Sequence, residues 1–600
     1  MSSIFRHAMP FGAELLARGG VRFRLFAPSA SNVALVLVDA PGALVPRPLA
    51  RTGDGFFERV EPDARTGSRY RFSVDGLPVP DPAARFAPEG PHGPSIVVDP
   101  EAFAWPHEPW RGRPWHEHVF YELHVGTFTP EGTYAAARTK LPALADLGIT
   151  ALELMPLAQA PGTRNWGYDG VLPFAPAFSY GTPDDLKAFI ADAHAHGIAV
   201  YLDVVYNHFG PEGNYLHAYG REFYTDRYDT PWGAAIAFEG PERATVRAFF
   251  IENALYWLQE YRFDGLRLDA VHVIYDGDDR AFLREFAATV HARVPRPVHL
   301  VVENDDNESA LLQAGFQAQW DDDAHHTAHV VVTGQRDGYY ADYAERPAEL
   351  LGRTLTKGFA YQGEPSAFRS GARRGEASDR LALSSFVTFL QNHDQIGNRP
   401  FGDRITALAS GDAVRAVLAV LLLAPPIPLL FMGEEWGAST PFLFFCDFEP
   451  ELARAVTAGR RAEFSTFGEF ADPAARERIP DPSAPETFER STLRWDERVR
   501  APHDAWLAYY RTLLRIRATE IAPRSGRVRG LEADYETIGA RGLRAHWRLD
   551  DAATLGLEAN LGGTAADGFP APAQGYVVFT THEPAPGASA PPWSVRWTIA

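Results

Sequence analysis

The sequence predicts an α/β protein: a closed (β/α)8 TIM barrel preceded by an immunoglobulin-like β-sandwich and followed by a second β-domain. Three observations carry this reading. Short alternating apolar–polar runs fill the first hundred residues, apolar runs separated by helix-period segments fill the middle, and short alternating runs return near the end. At 600 residues the chain is longer than one core usually organises, so several domains are expected.

From about residue 10 to 100, VRFRLFAP, NVALVLVD, GFFERVEP and YRFSVDG are separated by Gly, Pro, Asp and Ser, the spacing of a small sandwich. The stretch WPHEPWRGRPW marks a boundary near residues 105 to 115. The expected division is therefore 1–105 for the sandwich, 106–524 for the barrel and 525–600 for the C-terminal β-domain.

Within the barrel region the strand candidates are VFYELHV from 119, ALELMPL from 151, AVYLDVV from 199, GLRLDAV from 265, HLVVEN from 299, GFQAQWD from 315, SFVTFLQNHD from 385 and IPLLFMG from 427. Eight such strands alternating with helices point to a closed barrel. TPDDLKAFIADAHAHG carries a Thr cap, Pro at the first helical position, acids in the first turn and a terminal Gly. ERATVRAFFIENALYWLQEYRF places apolar residues at helical spacing. The run from Val414 to Met432 carries Arg415 and is broken by Pro425, Pro426 and Pro428, which fits a buried helix followed by a buried strand and not a membrane span. Long insertions follow the third strand (209–240) and the sixth (336–380); loops of that length on a barrel rim usually shape a cleft. The C-terminal domain is read from LRAHWRLD, LGLEANLG and GYVVFTT, ahead of a loosely Pro- and Ala-rich tail.

Composition restricts the partners. Hydrophobic residues make up 46% and charged residues 22%, ordinary for a soluble globular protein. The 57 Lys+Arg against 77 Asp+Glu leave a formal charge of −20, which repels nucleic acid and anionic membrane surfaces and favours a neutral or cationic ligand. One cysteine, Cys446, excludes an internal disulfide; set among aromatics in PFLFFCDF, it reads as a buried inert thiol. With no secretion signal read in MSSIFRHAMPFGAELL, the expected location is cytoplasmic.

Asp269 in GLRLDAVH, Glu303 in HLVVEND and Asp394 in FVTFLQNHD each close an apolar strand run. Cleaving a bond between two sugars requires a carboxylate and a carboxylic acid on either side of it, so acids gathered at strand ends suggest glycosidase chemistry. Arg267 and Asp269 are two apart and share a strand face; the pairing either keeps a nucleophile ionised or is a structural ion pair. Glu303 follows apolar residues that would raise its pKa toward an acid's range, or it is a surface cap. Asp203, Asn207 and His208 end the third strand; Asp203 suits holding loop backbone and His208 reaching a hydroxyl. His393 reads either as a site residue or as a satisfied core histidine.

Taken in order, DVVYNH, GLRLDAVH, VVEND and FLQNHD on strands three, four, five and seven resemble the α-amylase clan of retaining glycoside hydrolases and transferases. The N-terminal sandwich resembles the carbohydrate-binding-like one of branching and debranching members. The resemblance implies that Asp269 is the nucleophile, Glu303 the general acid/base and Asp394 the carboxylate that grips sugar hydroxyls. It also implies supporting positions for Asp203, His208, Arg267 and His393, and a stacking role for Tyr168 in NWGYDG; His272, Gln395 and Asn398 join the candidate sugar-binding residues.

The rim motifs PGTRNWGYDGVLPFAP, ENDDN, QWDDDAHH and FMGEEWGASTPFLFF together resemble the malto-oligosyltrehalose trehalohydrolase family, over nearly the whole chain. That resemblance implies maltooligosyltrehalose and related α-glucan oligosaccharides as substrates and a maltooligosyltrehalose synthase as pathway partner. The alternative within the clan is a glucan branching or debranching enzyme; a non-catalytic carbohydrate-binding protein conflicts with the retention of three carboxylates. Asp322, Asp323, His325 and His326 are candidate hydroxyl binders or an acidic helix cap with following histidines. Trp166, Trp320 and Trp436 offer stacking faces or core packing, and Glu434 and Glu435 line the cleft or brace it. No cofactor is called for, and no metal: HxxEH, HExxH and calcium-loop spacings are all lacking.

Overall fold

The computed structural model describes the chain except residues 1–4, 39–44, 107–109, 231, 278, 467–471, 570–574 and 583–588. The start of the chain, the middle of the Trp-rich stretch and part of the Pro- and Ala-rich tail thus lie outside the described residues.

The eight expected strands close into a parallel barrel: β1 (Phe120–Leu123), β2 (Ala151–Leu154), β3 (Ala199–Val204), β4 (Gly265–Leu268), β5 (His299–Glu303), β6 (Ala318–Trp320), β7 (Phe386–Phe389) and β8 (Ile427–Phe431), with β8 returning to β1. Nearly every strand residue is buried, because helices cover the outer face and side chains fill the inner one; this is why the runs read as continuously apolar. Register is tight at the start of β4. A Cβ on Gly265 would lie 2.2 Å from the His299 carbonyl and 2.2 Å from the Tyr201 ring, so glycine alone fits between β3 and β5 there.

The outer helices follow their sequence signals. In α1 (Pro183–Ala195) the Thr182 hydroxyl accepts from the Asp185 N–H at 3.2 Å, while the Asp185 carboxylate accepts from the Thr182 N–H at 2.9 Å, a complete capping box. The helix α2 (Arg243–Glu260) is buried along most of its length. After β6 come α3 (Asp322–Thr333) and α4 (Pro347–Lys357), the latter inside the second insertion. The apolar run is α5 (Gly411–Leu423) leading into β8, and its carbonyl end is closed by buried Arg517, which donates to the carbonyls of Leu422, Ala424 and Pro426. Arg415 lies over the Trp506 ring, 4.5 Å from its centre. Among the described residues no helix is long and apolar enough to cross a membrane.

The N-terminal region forms two layers, one of four strands and one of five. One runs in the order Gly12–Leu15, Val21–Phe26, Phe56–Glu61, Ala50–Arg51; the other in the order Arg47–Pro48, Val33–Leu37, Arg69–Val74, Leu77–Val79, with Ser95–Ile96 pairing beside Arg69–Val74. Buried Arg85 fastens this region to the barrel through both carboxylate oxygens of Glu260, at 3.2 and 3.0 Å.

The C-terminal sheet runs Ala533–Ile538, Gly542–Arg548, Thr554–Asn560, Ser594–Ile599, Tyr576–Thr580. Its first strand and the inner strand Ser594–Ile599 are additions to the three read from sequence; the latter lies within the Pro- and Ala-rich tail, where composition hides it. Trp597 and Trp547 stack in its core and donate to the carbonyls of Ala419 and Leu355, binding the sheet to α5 and α4.

The Trp-rich stretch is a packed seam. Trp110 stacks on His194 and donates to Asp264 at 2.7 Å, whereas Trp115 enters the barrel interior with Phe120, Tyr201 and Trp320 and donates to the Ser384 carbonyl at 2.6 Å. Trp115→Ala removes this plug and strands the carbonyl. A loss of about 3 to 5 kcal/mol is expected, measured as a fall in the denaturant midpoint of the barrel transition.

Candidate active site

A cavity of about 670 Å³ opens at the C-terminal ends of the strands, and Asp269, Glu303 and Asp394 all line it. Each arrives there by strand geometry. Asp269 follows β4, Glu303 is the last residue of β5, and Asp394 lies in the first turn of the short helix His393–Gly397 after β7, whose N-cap Asn392 accepts from the Gln395 N–H at 2.9 Å.

Arg267 organises the floor. It pairs across the register with Asp203 on β3 and is fully buried. One terminal nitrogen donates to both oxygens of Asp203, at 2.9 and 2.7 Å, and to Asp269 Oδ1 at 2.8 Å. The other lies 2.9 Å from Glu303 Oε2, a close approach outside hydrogen-bond geometry. Beneath it the Trp320 ring faces the guanidinium at 4.1 Å. Asp269 Oδ2 accepts from Asn207 at 2.7 Å, and Glu303 Oε2 accepts from the N–H of Ala270 at 2.9 Å, which a left-handed backbone at Ala270 (φ 41°) aims toward it.

The same floor drives the two acids apart. Burial raises the pKa of Asp269, but Arg267, His208 and the Asn207 hydrogen bond outweigh it, so the group lies below its ordinary range and is ionised. Burial pushes Glu303 well above the usual carboxylate range; Arg267 opposes this, while the charges of Asp269 and Asp394 add to it. A carboxylate beside a carboxylic acid is the state that acid–nucleophile chemistry on an acetal needs.

Opposite stands a second charged pair. His393 Nδ1 meets Glu122 at 2.5 Å and its Nε2 lies 3.4 Å from Asp394 Oδ2. Burial lowers the His393 pKa, yet Asp394 and Glu122 lift it to about 9. The Tyr168 ring stacks on His393, 5.0 Å between centres, and its hydroxyl donates to Asp203 at 2.6 Å, so the ring is pinned at the cavity wall. Asn398 donates to Asp394 Oδ1 at 3.1 Å.

The cavity thus brings together Tyr168, His208, Asp269, His272, Glu303, Asp322, His326, His393, Asp394, Gln395 and Asn398. Four candidates are not at its surface. Asp203 and Arg267 lie beneath the floor and hold other side chains, Asp203 binding Arg267 and Tyr168 in place of loop backbone. Asp323 and His325 are buried and face away: His325 meets the Leu390 carbonyl at 2.7 Å and the Tyr340 hydroxyl at 3.0 Å, and Asp323 is filled by protein donors. On α3 they point inward, whereas Asp322 and His326, four apart, share the cavity face. His208 is at the wall, but both ring nitrogens are engaged, by Asn207 Oδ1 and the Tyr168 carbonyl, so it braces the wall and does not offer a free hydroxyl donor.

Of the tryptophans, Trp166 borders the cavity while Trp320 and Trp436 are core. Glu434 and Glu435 brace: they accept from Tyr510 at 2.8 Å and Tyr121 at 3.2 Å, and burial pushes each up to about 7. Lining residues missed in the sequence include Trp232, Tyr339, Tyr343, Phe368, Arg369 and Arg374 from the two insertions, and Asp305 after the acid strand. The insertion lengths signalled a cleft; nothing in them singled out these positions.

His393 links the site to stability. Its folded pKa of about 9 lies above the ordinary histidine value of 6.5, so its contribution is complete below about pH 6.5 and is lost as pH rises toward 9. Thermal melts from pH 6 to 9.5 are expected to show Tm falling more steeply for the wild type than for His393→Gln; equal slopes would contradict the charged imidazole.

Comparisons with known proteins agree with this architecture. Family models match for the alpha amylase catalytic domain over 112–231, for carbohydrate-binding module 48 (isoamylase N-terminal domain) over 10–84, and for a domain of unknown function over 530–597. The malto-oligosyltrehalose trehalohydrolase of Deinococcus radiodurans is 43% identical over 84% of this chain and 82% of its own. That of Arthrobacter ramosus is 41% identical over 89% and 92%. A crystal structure titled a putative alpha amylase from Salmonella typhimurium superposes with a TM-score of 0.92 at 42% identity, covering 99% of this chain and all of that one. With barrel, flanking domains and identity in agreement, the chain belongs to the malto-oligosyltrehalose trehalohydrolase family of α-amylase-type glycoside hydrolases.

Proposed function

We propose that this chain hydrolyses the α-1,4 bond between a maltooligosaccharide and a terminal trehalose, releasing free trehalose and the shortened maltooligosaccharide. The observation that carries the reaction type is the single guanidinium of Arg267 shared by an ionised Asp269 and a protonated Glu303. Family membership carries the substrate.

The chemistry is a double displacement. Glu303 gives its proton to the glycosidic oxygen as Asp269 attacks the anomeric carbon; the C–O bond breaks, trehalose leaves with that proton, and a glycosyl ester forms on Asp269. Glu303, now a carboxylate, takes a proton from water, whose oxygen displaces Asp269 with retained configuration. Such a mechanism calls for about 5 to 5.5 Å between the two carboxyls; holding one at each end of a guanidinium favours that side-by-side arrangement. Asp394, anchored by Asn398 and charged His393, grips hydroxyls of the attacked ring while Tyr168 stacks beneath it.

The reaction suits a route of trehalose biosynthesis in which a maltooligosyltrehalose synthase supplies the substrate. A cytoplasmic setting is part of the same reading, supported by a lone buried thiol, Cys446, whose pKa burial pushes up to about 12. Transfer to a glucan, as in a branching enzyme, would use the same carboxylates with water excluded.

Incubation with maltooligosyltrehalose and with a linear maltooligosaccharide of equal length is expected to release trehalose from the first and leave the second largely intact. Comparable attack on linear or branched glucan would favour the branching or debranching reading. Glu303→Gln is expected to lower kcat/KM about 10²- to 10⁴-fold and to remove the alkaline limb of the pH profile, since activity falls there as Glu303 loses its proton. An α-glucosyl fluoride, whose leaving group needs no proton, should be spared much of that loss; an equal loss on both substrates would contradict the acid role.

A further inference from the structure

The carboxylate of Asp323 is fully buried and collects five donors. Oδ2 accepts from Asn307 Nδ2 at 3.0 Å and from the backbone N–H groups of Ala360 at 2.8 Å and Tyr361 at 3.1 Å. Oδ1 accepts from Arg374 at 2.8 Å and from the Tyr343 hydroxyl at 2.5 Å. These groups come from the turn after β5, the helical turn Gly338–Tyr343, the segment beyond α4 and the hairpin strand Arg373–Arg374. One side chain therefore ties the whole second insertion to the turn that follows Glu303.

Arg374 carries the tie to the cavity. Its Nε donates to the Asp305 carbonyl at 2.8 Å, another of its nitrogens lies 3.1 Å from Asp305 Oδ1, and Arg374, Asp305 and Tyr343 all line the cavity. Glu303 hands its proton to the leaving group, so the leaving sugar lies on the Glu303 side, against the residues just beyond it. A 1,1-linked and a 1,4-linked leaving disaccharide share their first ring and differ in where the second ring goes. Telling them apart requires a wall there that does not yield.

We infer that Asp323 is the positioning residue for this selectivity: without touching sugar, it fixes the Arg374–Asp305 wall against which the second ring of the leaving disaccharide is placed. The inference rests on the proposed hydrolysis. Asn at 323 keeps the volume but replaces one accepting oxygen by a donor, so the amide faces N–H or O–H groups it cannot accept. Lys at 374 keeps the charge but cannot hold Asp323, Tyr343 and Asp305 at once.

The test is the ratio of kcat/KM for maltooligosyltrehalose to that for the linear maltooligosaccharide of equal length, measured for wild type, Asp323→Asn and Arg374→Lys. A loss of folded protein lowers both constants together and leaves the ratio alone. The ratio is expected to fall about tenfold in each variant, the weight of one charge-assisted hydrogen bond. If Asp323→Asn fails to fold, Arg374→Lys decides by the same criterion. Parallel losses that leave the ratio within about twofold of wild type would overturn the positioning role while the activity stands; a wild type without preference would overturn both.

Discussion

The site rests on one buried cation. Arg267 has no solvent exposure, and a guanidinium taken out of water is tolerable only when anions surround it. Asp203 meets it with both oxygens, Asp269 and Glu303 reach it from either side, and Trp320 offers its face below. The compensation acts both ways. Two carboxylates that need a cation, Asp203 and Asp269, are held beside a third acid, Glu303; the charge lowers the pKa of Asp269 while burial leaves Glu303 protonated. Removing Arg267 would leave like charges facing each other in a dry floor, so fold and chemistry meet at this residue.

The barrel was legible because its strands are buried on both faces, which makes them continuous apolar runs that local composition reveals. The strand ends were legible for the same reason: an acid closing such a run stands out. The behaviour of α3 was harder to read. In QWDDDAHH, Asp322 and His326, one helical turn apart, face the cavity while Asp323 and His325 between them face the core, and all four look equally available until helix phase is known. Asp203 presents the reverse case, a polar strand end whose partners, Arg267 and Tyr168, come from distant segments and give no local signal. The final strand, Ser594–Ile599, is an inner strand of its sheet yet follows a Pro- and Ala-rich stretch; only pairing with Thr554–Asn560 and Tyr576–Thr580 defines it.

Chemistry and selectivity are built from different parts of the chain. The acids stand at or just beyond the ends of barrel strands, which register holds in place. The rim comes from insertions that pack apolar clusters of their own, such as Tyr340, Tyr343, Leu350, Ala360 and Tyr361, and that buried polar groups, foremost Asp323, tie to the strand ends. Trp232, on the hairpin after β3, stacks on His208, and Tyr339 and Phe368 stand on the second insertion. Such a division lets a shared floor serve different glucans through changes in the walls alone.

Attack by Asp269 and proton transfer by Glu303, from either end of one guanidinium, retain the configuration at the cleaved carbon. Proton NMR of the maltooligosaccharide first released from maltooligosyltrehalose, read before mutarotation, is expected to show the α-anomer; initial release of the β-anomer would rule the double displacement out.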